Sequence, residues 1–405
     1  MRGLLIIKEE VKIENLTKIF GGKVKEVESL IKKGSSKAEI LKKTGSTVGV
    51  SNASFSVKNG EIFVIMGLSG SGKSTLIRMI DSLIKPTLGK IIIDGRNIDK
   101  LNKEELRKER ATKMSMVFQN FALFPHRTIL ENAAFGLEVQ KKDKNLRNKK
   151  AHQALEEVGL HGYDDHYPQE LSGGQQQRVG LARALANGGN ILLMDEAFSA
   201  LDPLTRTDMQ DQLLDLESRL HKTVIFISHD LNESLRLGDR IMIMNDGKVS
   251  QIGTPEEILT HPADAYVEKF IQGVDRTKVL TAKNVMIRSH IVNLDKQGPR
   301  VALERMRANQ LSSLFAVNNK RQLIGLVDAK GVAKLVENNS EDLKSVVNKE
   351  IPTVSPDTPL TDLMSKVSDT PVPFAVIDSN KKLLGIIIRS SILGAISGRE
   401  VKANV

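Results

Sequence analysis

The segment from Gly67 to Thr75 reads G-L-S-G-S-G-K-S-T, which has the spacing of a phosphate-binding loop. An apolar run precedes it and a helix-like run, TLIRMIDSLI, follows it, which is the context that this motif requires. The glycines let successive backbone N–H groups point at phosphate oxygens, and the start of the helix adds partial positive charge. We expect Lys73 to reach the β- and γ-phosphates and the Ser74 hydroxyl to ligate Mg²⁺. The predicted loop residues are Gly67, Leu68, Ser69, Gly70, Ser71, Gly72, Lys73, Ser74 and Thr75.

A second apolar run, NILLMDE, ends in two carboxylates. A buried strand there would hold Asp195 toward the metal ion, while Glu196 would polarise or deprotonate an attacking water. Such a run is a weak signal by itself. Behind a phosphate-binding loop it predicts hydrolysis of a bound nucleotide.

These residues need a scaffold, and the apolar runs MSMVF, NILLMD, TVIFIS and RIMIM supply strands separated by helical segments. That alternation predicts a mainly parallel α/β sheet. The first segment, VKIENLTKIF, has the alternation of an edge strand, and residues 23–44 predict two short helices around a turn. Asn59-Gly60 is a hairpin-type turn signal.

After about residue 275 two similar units of about 60 residues follow one another. Each reads as helix, strand FAV, polar turn, strand and helix. With only two copies, a paired module fits better than a solenoid. The expected organisation is an ATPase domain over residues 1–275, with an insertion at about 23–44, and two small domains over 276–338 and 339–405.

Composition excludes several classes of protein. The 405 residues contain no cysteine, which excludes disulfides, zinc–thiolate sites and thiol catalysis and fits a reducing cytoplasm. We expect no membrane span, because the sequence contains no run of about 18 uncharged apolar residues. We also expect that the first residues do not form a secretory signal. The net charge of +10 prompts a nucleic-acid hypothesis. However, residues 151–275 carry −12, while residues 141–150 carry +5 and the tail from 276 carries +8. Because the charge alternates in sign along the chain, the partner of each block must be inferred separately.

The segment LSGGQ, just upstream of the ILLMDE strand, makes the chain resemble the ATP-binding cassette (ABC) ATPases. The resemblance implies a head-to-tail dimer with two ATP molecules in its interface. It also implies that Gln119 senses Mg²⁺ or water and that His229 contacts the γ-phosphate. Phe20 would stack on adenine. The residues it adds to the ATP site are Phe20, Ser172, Gly173, Gly174, Gln175 and Asp202; Asp195, Ser74 and Gln119 form the implied Mg²⁺ site, and Glu196, His229 and Gln119 the implied catalytic set.

The chain carries one cassette without the heptad insertions or second cassette typical of relatives that act on chromosomes or translation. The block FPHRTILENAAFGLEV resembles importer ATPases, which dock on an integral-membrane permease. The insertion and the motif sequences resemble the ATPase subunits of glycine betaine/proline (quaternary amine) importers. The expected location is the cytoplasmic face of the membrane, with no nucleic-acid partner. A soluble ABC ATPase acting on nucleic acid or ribosomes is the alternative, and a nucleotide-sensing regulatory protein is a third reading.

The C-terminal repeat resembles a tandem pair of cystathionine-β-synthase-type (CBS) regulatory domains. Adenylate-binding CBS motifs often end G-x-x-T-x-x-D, and both copies here lack the Thr and the Asp. Some betaine-importer relatives bind cyclic di-AMP between such modules, with apolar side chains against the bases and an Arg near the phosphates. Ile386, Ile388 and Arg389 are the residues that could supply these contacts here. The alternative is a purely structural dimerisation module.

The run from Lys141 to Lys150 carries six basic groups and one acidic group. A charge run of this kind is usually a solvated face. The sharper hypothesis is contact with anionic lipid headgroups, which salt would screen and which would make transport sensitive to ionic strength. The residues proposed for this contact are Lys141, Lys142, Lys149 and Lys150.

Overall fold

The computed structural model describes residues 9–272, 274–368 and 372–397. The chain divides into two compact units, which meet in sequence between Gln272 and Gly273. The elements of the first unit are β1 (Glu9–Phe20), α1 (Val24–Lys32), α2 (Lys37–Thr44), β2 (Thr47–Lys58), β3 (Ile62–Met66), α3 (Lys73–Ile80), β4 (Leu88–Ile93), β5 (Arg96–Asn97), α4 (Lys103–Lys113), β6 (Met114–Phe118), α5 (Ile129–Val139), α6 (Lys144–Glu157), α7 (Gly173–Ala186), β7 (Ile191–Asp195), α8 (Pro203–Leu220), β8 (Thr223–Ile227), α9 (Leu231–Leu237), β9 (Arg240–Asn245), β10 (Lys248–Gly253), α10 (Pro255–Thr260) and α11 (Ala265–Phe270).

A six-stranded sheet in the order β10-β9-β3-β8-β7-β6 forms the centre of this unit. Its neighbours pair in parallel except for β9 and β10, which pair antiparallel. Strands β3 and β8 are buried along their whole length. The predicted parallel α/β sheet is therefore confirmed. The carboxyl ends of β3, β7 and β8 meet at one edge, which is where ligands bind in such sheets.

A second, four-stranded antiparallel sheet has the order β2-β1-β4-β5. The edge-strand prediction for the first segment is wrong, because β1 lies between β2 and β4. The alternation of apolar and polar residues in β1 indicates that one face of the strand is buried. It does not indicate how many strands pair with β1. The hairpin prediction at Asn59-Gly60 is also wrong. A turn does follow β2 there, but β3 has apolar residues buried on both faces and enters the central sheet instead.

The insertion forms the two predicted helices, α1 and α2. Ser36 caps α2 and exchanges hydrogen bonds with Glu39 in a capping box, and Gly45 ends the helix in the left-handed conformation. A small core of Ile19, Val27, Ile40 and Val48 joins both helices to β1 and β2. Further along the chain, α5, α6 and α7 pack on one another and form the helical subdomain.

The second unit contains two similar three-stranded sheets, β11-β12-β13 and β14-β15-β16, which confirms the predicted repeat. Each has one parallel and one antiparallel pairing. Its elements are α12 (Ala282–Val285), β11 (Ile291–Asn293), α13 (Pro299–Ala308), β12 (Ser313–Val317), β13 (Leu323–Asp328), α14 (Ala329–Glu337), β14 (Thr353–Val354), α15 (Leu360–Ser368), β15 (Phe374–Ile377), β16 (Leu383–Ile387) and α16 (Arg389–Ser397).

The two repeats exchange their entry segments. Ile287, which precedes β11, forms two backbone hydrogen bonds with Ile386 of the second repeat, at 2.8 and 2.9 Å. Asn348, which precedes β14, forms two with Leu326 of the first repeat, both at 2.8 Å. The cores follow the same exchange: residues 280–285 belong to the core of the second repeat, and Leu343 to that of the first. A division into 276–338 and 339–405 therefore follows the sequence repeat rather than the packed cores.

Candidate nucleotide-binding and hydrolysis site

The phosphate-binding loop joins the buried strand β3 to the start of α3. At Gly67 the backbone has φ +148°, and a Cβ there would lie 2.3 Å from the carbonyl oxygen of Met244. Only glycine fits this turn, because the neighbouring strand passes too close for any side chain. The Lys73 side chain is buried and its Nζ donates to the carbonyl oxygens of Gly67 (2.8 Å) and Leu68 (3.1 Å). The lysine is thus folded over its own loop, where phosphate oxygens would compete for its protons.

Asp195 ends β7 beside the helix that follows the loop. Its Oδ1 lies 3.5 Å from the hydroxyl of Ser74. Burial raises the pKa of Asp195, while the charge of Arg78 opposes the shift. One carboxylate and one hydroxyl suit Mg²⁺, which keeps several waters and takes its remaining ligands from nucleotide phosphates. Throughout the part of the chain that the structure describes, no cluster of three His, Cys, Asp or Glu side chains could hold a metal ion.

Glu196 follows in the left-handed conformation, with φ +49°. Its N–H donates to Ile227 of β8 at 3.1 Å, and its carbonyl oxygen accepts from both the N–H and the hydroxyl of Ser199. The carboxylate Oε2 lies 3.5 Å from Nδ1 of His229. The structure therefore brings the predicted base and the predicted γ-phosphate sensor together. Burial lowers the pKa of the nearby Lys73 amine, and the charges of Glu196 and Asp195 oppose that shift.

Phe20 is the last residue of β1 and is 42% exposed. A Cβ on Gly49 would lie 2.9 Å from Cε2 of Phe20 and 3.0 Å from Cγ2 of Thr75. The ring and the loop threonine therefore flank one glycine of β2. An exposed ring beside the phosphate-binding loop suits stacking on an adenine base.

The LSGGQ segment, residues 171–175, is called the signature segment here, and α7 begins at its third residue, Gly173. Ser172 caps this helix, and it exchanges hydrogen bonds with Gln175 in a capping box. Ser172 and Gly173 are exposed, whereas Gly174 is buried against Thr205. Asp202 caps α8 by accepting from the N–H of Thr205, and hydrogen bonds with Thr205 lower the pKa of the Asp202 carboxyl. The signature thus packs against the start of α8 in its own chain and leaves its first donors open to a second molecule.

Gln119 is exposed just after β6. Phe121 and Ala122, the second and third residues after Gln119, have φ of +53° and +49°. Arg183 of α7 donates to the carbonyl oxygens of both, at 3.0 Å to Phe121 and 2.6 Å to Ala122. The signature helix therefore holds the strained loop that carries Gln119.

Three basic residues of this site were missed at the level of sequence: Lys37, Arg183 and Arg206. Arg206 of α8 donates to the carbonyl oxygens of Leu201 (3.1 Å) and Ser199 (3.4 Å). Each of the three contacts backbone carbonyl groups. Because every residue has such a group, the identity of the partner residue does not indicate the contact. No sequence signal could have found them.

The two remaining predicted sites lie elsewhere in the chain. Lys141, Lys142, Lys149 and Lys150 are all exposed, the first two before α6 and the last two on it. Ile386 and Ile388 are half-buried, and Arg389 is the first residue of α16. Across residues 9–272, 274–368 and 372–397, no helix is long and apolar enough to span a bilayer.

The fold and the site define an ABC-type P-loop ATPase followed by a pair of CBS domains. The ABC transporter family matches residues 50–199, and the CBS domain family matches residues 343–398. A dimeric structure of the ABC transporter cassette MJ0796 is 35% identical, with a TM-score of 0.51, and covers 60% of this chain and 98% of its own.

Relatives extend this similarity to nearly the whole chain. The glycine betaine/carnitine transport ATP-binding protein GbuA of Listeria monocytogenes is 60% identical over 98% of this chain and 99% of its own. The glycine betaine transport ATP-binding protein OpuAA of Bacillus subtilis is 53% identical over 98% of this chain and 94% of its own. The chain belongs to the family of ABC transporter ATP-binding proteins that includes both. It is an enzyme that binds and hydrolyses ATP.

Proposed function

We propose that this chain is the ATP-hydrolysing subunit of an importer of glycine betaine-type osmoprotectants. The observation that carries the proposal is the extent of the similarity to glycine betaine transport ATP-binding proteins, which spans the insertion and the CBS pair as well as the cassette. Substrate identity comes only from those relatives, because the transported amine would bind another subunit.

In the proposed mechanism two copies pack head to tail. Lys73 and the loop N–H groups would hold the β- and γ-phosphates, Ser74 and Asp195 would hold Mg²⁺, and Ser172 and Gly173 of the second copy would face the γ-phosphate. Glu196 takes a proton from the attacking water as the water oxygen bonds to the γ-phosphorus and the bond from that phosphorus to the bridging oxygen breaks, which releases ADP and phosphate. His229 contacts the γ-phosphate during this step. The exposure of Ser172 and Gly173 supports an interface on this face. So does the 81% exposure of Leu204, which lies just after residues 199–202, the segment that matches the family's D-loop.

We place the permease in a cleft of about 460 Å³ between the sheet domain and the helical subdomain. It is lined by Asp81, Arg110 and Met116 on one side and by Phe135, Val139 and Arg183 on the other. Burial raises the pKa of Asp81 to about 6, although Arg110 lies 3.7 Å away and opposes the shift. Because Arg183 also holds the Gln119 loop, a permease segment in this cleft would touch the link to the ATP site.

Reconstitution tests the proposed function. The full chain, co-expressed with a candidate glycine betaine permease from the same cell, is expected to co-purify with it from membranes and to hydrolyse ATP faster in proteoliposomes when glycine betaine is added. Proline and choline serve as comparison substrates. Co-purification with ribosomes or nucleic acid, and no response to any quaternary amine, would support the soluble alternative instead.

For the CBS pair we propose cyclic di-AMP as the regulatory ligand. Arg389 stands at the start of α16, next to the half-buried Ile386 and Ile388, so one short segment offers apolar contacts and a cation for phosphate. Calorimetric titration onto the full chain is expected to show binding that Arg389→Ala weakens at least about tenfold. Lys330→Ala, an exposed change on the matching helix of the first repeat, is the control. If no heat is measured at tens of micromolar cyclic di-AMP, the hypothesis of a purely structural dimerisation module is supported instead.

For the basic run we propose contact with anionic lipid. Changing Lys141, Lys142, Lys149 and Lys150 to Gln is expected to shift the salt dependence of ATPase activity in anionic proteoliposomes toward lower salt, because fewer charges remain to be screened. The control changes four exposed lysines of the insertion, Lys32, Lys33, Lys42 and Lys43, and so removes equal charge elsewhere. Superimposable salt curves for the first variant and the wild type would overturn the lipid contact.

A further inference from the structure

Lys37, the first residue of α2 in the insertion, contacts the phosphate-binding loop. The capping box of α2 fixes this end of the helix, and Ile40, one turn further on, lies in the small core with Ile19 and Val48. The Lys37 side chain is only 20% exposed, which is unusual for a lysine at the end of a surface helix. The helix therefore presents one partly buried lysine in a fixed position.

Lys37 contacts two segments that are far from it in sequence. Its Nζ donates to the carbonyl oxygen of Gly70 in the phosphate-binding loop at 3.4 Å and lies 3.7 Å from Oδ1 of Asp246 in the β9–β10 turn. Burial lowers the pKa of this amine, and the charge of Asp246 opposes the shift. The ammonium group thus bridges the loop and the turn.

The turn is shaped to receive this side chain. Gly247 has φ +80°, and a Cβ there would lie 2.8 Å from Cε of Lys37. The N–H of Gly247 donates to Ser71 of the loop at 2.9 Å, and its carbonyl oxygen accepts from Ser51 of β2 at 2.7 Å. The loop, the turn and β2 are therefore hydrogen-bonded together beneath Lys37.

We propose that the insertion is part of the nucleotide site and that Lys37 is a positioning residue for the phosphate-binding loop. By holding the carbonyl of Gly70 toward the turn, it favours the loop conformation in which the N–H groups are free for phosphate. The insertion leaves β1 directly after Phe20 and rejoins at Thr47, which pairs with Phe20. One segment therefore supports both the adenine side and the phosphate side of the site.

The test measures nucleotide affinity on the full chain. Lys37→Met is expected to weaken binding of fluorescent Mg·ADP about tenfold, equivalent to about 1.4 kcal/mol. Lys37→Arg retains the charge and the donors and is expected to restore affinity to within about threefold of the wild type. ADP is used so that dimer formation does not contribute to the signal.

Lys42→Met is the matched control, because Lys42 is exposed on the same helix and the change removes the same charge. Hydrogen exchange of the peptide covering residues 67–74, without nucleotide, is expected to be faster in Lys37→Met than in Lys42→Met. Equal affinity and equal exchange in the two variants would overturn the proposal, as would an equal loss in both. Should Lys37→Met fail to fold, Asp246→Asn tests the same bridge and is expected to weaken affinity by a smaller factor.

The inference rests on ATP binding at this loop and is independent of the transported substrate. Failure of wild-type protein to bind Mg·ADP would count against the nucleotide site itself. Wild-type binding that Lys37→Met leaves unchanged would count against the role of Lys37 alone.

Discussion

Glu196→Gln is expected to lower ATP hydrolysis by a factor on the order of 10²–10⁴ and to leave ATP bound in a closed dimer, because the amide cannot accept the proton of the attacking water. The change should not disturb the fold. The unusual backbone of Glu196 is held by the hydrogen bond to Ile227 and by two from Ser199, and all three involve main-chain atoms of Glu196. The loss would therefore fall on chemistry rather than on binding.

Single-turnover hydrolysis and size-exclusion chromatography with Mg·ATP measure the two consequences. Glu268→Gln, an exposed change of the same type on α11, is the control and should match the wild type in both. Hydrolysis by Glu196→Gln at the wild-type rate would contradict the assignment of Glu196. Loss of nucleotide affinity would instead indicate a structural role for this carboxylate.

The fold was predictable where one physical requirement dominates the sequence. Strands β3 and β8 are buried on both faces, so their residues are apolar apart from Thr223, and the parallel sheet follows from their alternation with helices. The position of β1 was not predictable, because alternation records which face is buried and not which strand lies alongside. The exchange of entry segments between the CBS repeats was hidden for a similar reason: Ile287 and Asn348 pair through backbone atoms.

The residues of the candidate site also fall into those that the sequence predicts and those that only the structure reveals. The residues proposed to touch nucleotide occur in contiguous motifs, because a loop or helix start must supply several donors at fixed spacing, and such motifs can be predicted from sequence. Residues that hold the loops in place act singly across long separations. Arg183 reaches a loop about 60 positions earlier, and Lys37 one that is 33 positions later. Only coordinates bring such pairs together.

Arg206 links the two loops that flank the reaction. Its Nη2 donates to the carbonyl oxygens of Leu201 and Ser199, and its Nη1 lies 3.9 Å from the carboxylate of Asp230. Asp230 caps α9 and immediately follows His229. Ser199 in turn donates to the carbonyl of Glu196. One guanidinium therefore fixes the D-loop, which begins at Ser199, relative to the segment that carries His229.

Arg206→Met is expected to slow hydrolysis about 10–100-fold, because losing hydrogen bonds from a charged donor costs roughly 1.5–3 kcal/mol and frees both loops. Affinity for Mg·ADP should stay within about threefold of the wild type, since Arg206 contacts neither Lys73 nor the loop that it covers. Single-turnover hydrolysis and equilibrium binding separate the two quantities. Arg219→Met, on the same helix but in an exposed pair with Asp215, is the control. Unchanged hydrolysis in Arg206→Met, or an equal fall in Arg219→Met, would show that the D-loop and the His229 segment are held by other contacts.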